Sequence, residues 1–188
     1  GAISKTAAGG EINVLDPGGF GGVTITKAIT IRSDSIEAGV LVSGTSGIII
    51  NAPSTATVVL DGLDFEGLSN GTSVHGINIL SARDVFVRNS SIRGFTSATS
   101  AGIMINGTTP LTVTVENCTL FNNTVGVAVV SASGPGAARV FNSQIVASSA
   151  VGIRVSGAGN TAAISGNSIF RTVKSLEILS GATIYSYQ

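Results

Sequence analysis

A glycine followed by alternating apolar residues returns five times along this chain. It reads GIII at 47, GINI at 76, GIMI at 102, GVAV at 126 and GIRV at 152, at intervals of 29, 26, 24 and 26 residues. A degenerate copy, SLEI, stands at 175, 23 residues further on. A second motif follows each copy of the first: VVLDGLDFEG at 58, VFVRNSSIRG at 85, VTVENCTLFN at 113, ARVFNSQIVA at 138 and AAISGNSIFR at 162. Aligned on their late apolar residues Phe65, Ile92, Leu120, Ile145 and Ile169, these copies step by 27, 28, 25 and 24. Two independent motifs therefore share one irregular period near 25, and a period of that length marks a stacked-repeat architecture.

Each period holds two or three strands of three to five residues with period-two alternation, and nothing within it has helical spacing. Strands this short do not form stable hairpins alone. They must pair with their counterparts in the next period, which gives parallel sheets with strands ~4.8 Å apart. The expected fold is an all-β solenoid of about six to seven coils, a rod roughly 30–35 Å long at that spacing. It forms one domain over residues 1–188, with the coils spanning 11–188. A β-sandwich would instead need tight two-residue turns between paired strands. Asn70-Gly71 and Asn106-Gly107 each sit in a longer polar loop.

Only 11% of the residues are charged and the formal net charge is zero, so the chain lacks the electrostatic footprint of a nucleic-acid or acidic-membrane binder. Its longest apolar run, VGVAVV at 125–130, falls far short of the ~20 residues of a membrane-spanning helix. Cys118 is the single cysteine; it cannot form an intrachain disulfide and reads as a small buried hydrophobe. The first methionine is Met104, so the chain is read as a trimmed or processed segment.

The opening stretch AISKTAAGGEINVLDPGGFGGVTITKAITIRSD, residues 2–34, together with the repeats, resembles the right-handed parallel β-helix proteins of the pectin-lyase-like superfamily. The resemblance is closest to bacterial repeat proteins without an assigned activity. It implies that residues 1–10 are the remnant of an N-terminal cap, that a first strand runs from Ile12 to Leu15, and that Asp16-Pro17-Gly18-Gly19 is a turn. It also implies a secreted or cell-envelope location. Enzymes of the superfamily cleave uronic-acid polymers. Lyases use acidic calcium ligands with an Arg or Lys base, and hydrolases use clustered Asp residues with His and Arg-x-Lys. A fold shared this widely does not decide the chemistry.

In the G-I-x-I strands the two apolar residues point inward and x points outward. The outward column is Ile49, Asn78, Met104, Ala128, Arg154 and Glu177. It has no Asp and no acid cluster of the kind a hydrolase needs. Asn78, Arg154 and Glu177 are the ligand-binding candidates; the plainer reading of Arg154 and Glu177 is a solvated ion pair between adjacent coils. Asp61, Asp64 and Glu66 sit at alternating positions of one coil and form a weak candidate calcium site. Cross-coil ion pairs explain them better, with Arg88 beside Asp61 and Arg93 beside Glu66. His75 in VHGINI resembles the Gly-His-Gly of hydrolases, but Val74 precedes it and it lacks a paired Asp, so it reads as a turn histidine. Thr-x-Thr occurs at 24–26 and 112–114 without continuing across coils, which disfavours an ice-binding ladder.

Asn89, Asn117 and Asn142 align, with Gly62 and Gly166 in the flanking coils. Asn and Gly tolerate left-handed backbone angles, so these positions read as a repeated corner, with amides expected to stack from coil to coil. Asn142-Ser143-Gln144 breaks a glycan-acceptor pattern. The functional expectation is a non-catalytic exported module acting in adhesion or glycan contact, part of a larger surface protein, without nucleic-acid partners. The alternative is a lyase or glycoside hydrolase acting on uronic-acid polymers. Open solenoid ends also suggest end-to-end self-association or a missing C-terminal segment.

Overall fold

A computed structural model describes residues 1–69 and 71–187; Asn70 of the Asn70-Gly71 pair lies outside the described residues. The chain winds into an all-β parallel solenoid of about seven turns with three sheets. The first sheet stacks Glu11–Val14, Ile29–Ser33, Thr57–Asp61, Asp84–Arg88, Leu111–Glu116, Gly136–Phe141, Thr161–Ser165 and Thr183–Tyr187. The second stacks Gly18–Gly19, Ala38–Val42, Asp64–Gly67, Ser91–Arg93, Thr119–Phe121, Gln144–Val146 and Ser168–Phe170. The third stacks Val23–Ile25, Ile48–Asn51, His75–Ser81, Ala101–Ile105, Val125–Val129, Val151–Ser156 and Lys174–Leu179. No helix among the described residues is long and apolar enough to cross a membrane.

Period-two alternation sends one set of side chains inward, where like stacks on like. Leu60, Val87, Val115, Val140 and Ile164 are successive partners in the first sheet, and Phe65, Ile92, Leu120, Ile145 and Ile169 in the second. Most of these are wholly buried, each such side chain contributing about 1.5–3 kcal/mol of hydrophobic stabilisation. The segment expected as a cap holds a short helix, Ala2–Lys5, whose Ile3 packs on the core. Gly18-Gly19, expected as part of a turn, instead forms a short strand against Ala38-Gly39, because the next coil offers partners there. Beside the helix an apolar cavity of about 590 Å³ remains at this end, lined by residues such as Ile12, Val14, Phe20 and Val40.

The glycine that opens each G-I-x-I motif has a steric cause. Gly47, Gly76, Gly102, Gly126 and Gly152 do not have positive φ angles. A Cβ on any of them would instead come within 2.5–3.0 Å of a carbonyl oxygen in the following coil. At Gly126 it would meet the Gly152 oxygen at 2.5 Å and Ile145 Cγ2 at 2.6 Å. The degenerate copy at Ser175 lies in the strand Lys174–Leu179, which pairs with Val151–Ser156.

The corner between the first and second sheets spans two residues in each of five coils, 62–63, 89–90, 117–118, 142–143 and 166–167. Its first residue is left-handed throughout: Gly62, Asn89, Asn117, Asn142 and Gly166 have φ between 48° and 72°. Among the described residues the expected ladder of hydrogen-bonded Asn89, Asn117 and Asn142 amides does not form. These side chains are exposed, and the Asn89 amide donates to Asp61 Oδ1 at 2.7 Å. The ladder belongs to the next residue, which points inward. The Leu63 N–H donates to Ser90 Oγ, Cys118 N–H to Ser143 Oγ and Ser143 N–H to Asn167 Oδ1, at 2.9–3.1 Å. Cys118 is buried as expected and is also a rung, its thiol donating to the Glu116 and Val87 carbonyls. Two further corners use Asn123 and Asn160 in the same way, each satisfying backbone groups of neighbouring turns.

Two tests follow from this packing. Gly126→Ala should lower the urea midpoint by the equivalent of about 1–3 kcal/mol through overpacking, whereas Ser175→Gly should cost no more than about 1 kcal/mol. Burial pushes the Cys118 thiol up to about 11, so at pH 8 the native chain should resist a thiol reagent and react only on unfolding. Rapid modification of the folded chain would contradict this.

Candidate functional site

The outward column of the third sheet is assembled as the repeat predicts. Ile49, Asn78, Met104, Ala128, Arg154 and Glu177 are consecutive partners across six coils. The face is less open than the sequence implies. Ala128 is buried, and Ala101, Val125 and Val151 join it in a small apolar cluster, with Met104 packed against it. The Asn78 side chain oxygen is buried without a hydrogen-bond partner among the described residues.

Arg154 and Glu177 do meet. Arg154 Nε donates to Glu177 Oε2 at 2.6 Å, and Lys174 Nζ donates to Glu177 Oε1 at 2.7 Å. Hydrogen bonds from Lys174 and then Arg154 hold the Glu177 carboxyl below its ordinary value. A carboxylate doubly satisfied in this way is a poor proton donor or base at neutral pH.

The acidic trio does not converge. Arg93 bridges Asp64 and Glu66, reaching Glu66 Oε2 at 2.8 Å, and the paired carboxylates raise the Arg93 pKa. Asp61 faces the Asn89 amide and Arg32, the latter at 3.9 Å. Arg88 is beside Asp61 in register but does not pair with it. Its guanidinium lies 4.7 Å over the Phe86 ring and pairs with Glu116 of the next coil at 3.7 Å. No group of three His, Cys, Asp or Glu side chains among the described residues is arranged to hold a metal ion. Solvent-exposed pairs of this type contribute about 0–1 kcal/mol each.

His75 has a clear structural task. Its Nδ1 accepts the Ala101 N–H of the next coil at 3.1 Å. Burial lowers its pKa, and protonation would replace that acceptor with a donor. Above the unfolded value of about 6.5 the neutral ring carries no linkage cost. Below it the unfolded chain takes up the proton first, so native stability is lost as pH falls towards the folded pKa. Thermal melts of the parent chain and His75→Asn should therefore diverge as pH drops from 8 to 5, the parent losing more. Parallel loss in both would refute the assignment, since His75 is the single histidine.

No individual characterised protein matches the chain significantly. A family model described as a right-handed beta helix region matches residues 18–169, which includes every repeat from the second-sheet strand Gly18–Gly19 to Ile169. By its repeats, its three parallel sheets and this match, the chain belongs to the right-handed β-helix family.

Proposed function

We propose that this chain is a non-catalytic β-helix module of an exported surface or envelope protein, acting as a scaffold that contacts glycans. The observation that carries the reading is the state of its outward charges. In the third-sheet column Arg154 bonds to Glu177, which also accepts from Lys174, and the Asp64 and Glu66 acids are held by Arg93. That leaves the column without the poised pair of carboxylates that acid–base cleavage of a glycosidic bond requires. What the coils offer outward instead is largely neutral: Ser91, Thr119, Gln144 and Ser168 form one continuous column of the second sheet. Short neutral polar groups suit weak hydrogen bonding to sugar hydroxyls. The bacterial origin and the exported location rest on the superfamily resemblance.

The ends of the rod support self-association as a second property. Val173, Leu176, Ile178 and Leu179 are exposed on the last coil, and the apolar cavity opens at the other end. Apolar surface of this kind favours contact with a second copy.

A glycan panel assayed for new reducing ends and for unsaturated products, with and without calcium, should show no turnover, while affinity electrophoresis through the same glycans should show retardation. Robust turnover would overturn the reading. Light scattering should give an apparent mass that rises with concentration; a strictly monomeric particle counts against association through the ends.

A further inference from the structure

The C-terminal part of the first sheet carries a feature that neither the repeat nor the ion pairs explain. Three successive coils place Arg139 and Phe141, then Ala163 and Ser165, then Tyr185 and Tyr187 at matching outward positions. The two small residues form the floor of a slot. The larger side chains stand on either side of it, Arg139 opposite Tyr185 and Phe141 opposite Tyr187. Tyr185 and Tyr187 are 50% and 58% exposed, although exposed tyrosine on a flat sheet leaves apolar ring surface in water. Arg139 is also exposed, and its guanidinium has no hydrogen bond or ion pair among the described residues, unlike Arg93 and Arg154.

The dimensions select the ligand. The two walls are two strand steps apart, ~9.6 Å, so a ring lying midway is ~4.8 Å from each, within the ~4.5–7 Å separation of stacked rings. The floor from Thr161 to Ser165 extends about 13 Å along the strand, room for two or three linked sugar rings. The resulting patch, on the order of 130 Å², is far below the ~800 Å² per partner of a stable protein interface. Hydroxyls of Thr161, Ser165 and Thr183, the two phenols and the Arg139 N–H groups surround it, as a hydroxylated ligand requires. Resting on the glycan-contact reading above, we propose that this slot binds an extended glycan laid across the solenoid, with one pyranose over Ala163 and the next over Ser165.

The chain supplies its own probe, because it has two tyrosines and no tryptophan, so its intrinsic emission arises in the slot. Titration of the full chain with cellohexaose, mannohexaose, xylohexaose and trigalacturonate should give a saturable change in tyrosine emission with at least one of them. Arg139→Gln, which keeps both fluorophores, should weaken that response by about tenfold, comparable to losing one good stacking or charge-assisted contact. Calorimetry with Tyr185→Ala/Tyr187→Ala should show the same loss at an unchanged melting temperature, and Phe121→Ala on the second sheet should bind as the parent does. Glycan binding without any tyrosine response, or undiminished in both slot variants, overturns the slot and leaves the glycan reading standing. Absence of binding to every oligosaccharide overturns both. A concentration-dependent dimer that disappears in the double tyrosine variant assigns the slot to a second copy and overturns the glycan proposal.

Discussion

Register at three places at once governs this molecule. A coil hydrogen-bonds to the next along the first, second and third sheets, and each strand must arrive at the height its predecessor left. A one-residue slip in any strand would turn its apolar set outward. The chain meets the condition by keeping one corner invariant. Two residues separate the first-sheet strand from the second-sheet strand in every coil from 57 to 170. The variation in repeat length is taken up in the other two connections, such as the longer loops at 68–74 and 130–135.

The invariant corner creates a second demand. A left-handed residue turns the chain sharply, and the backbone N–H that follows it faces the interior without a strand partner. A buried unpaired amide costs about 1–3 kcal/mol. Ser90, Ser143 and Asn167 each reach back to satisfy an amide of the preceding coil. Cys118 occupies the same column with a weaker group. The core of this solenoid is thus apolar along its three faces and hydrogen-bonded along its edges.

How much of this could be read from the amino acids depended on what each residue type specifies. The columns were legible because alternation has a period of two and the motifs name the phase, so Asn78, Arg154 and Glu177 stand where the repeat puts them. The corner was legible as a backbone angle, since Asn and Gly share the left-handed region. Its hydrogen bonds were not, because the φ preference of Asn89 does not say which neighbour points inward. Arg88 illustrates the same limit. Its register offers an acid on either side, Asp61 and Glu116, and only the side-chain geometry over Phe86 decides between them. The slot escaped notice because Arg139 and Tyr185 are 46 residues apart and belong to no shared motif.

The glycine column has a meaning beyond packing. In each of its coils the missing Cβ leaves space for the carbonyl of the coil laid on top. A methyl group at any of these positions would press on backbone, which cannot swing aside as a side chain can. The five glycines therefore set how closely successive turns approach along the third sheet. The pitch of the rod on that face is written in the absence of a single carbon atom per coil.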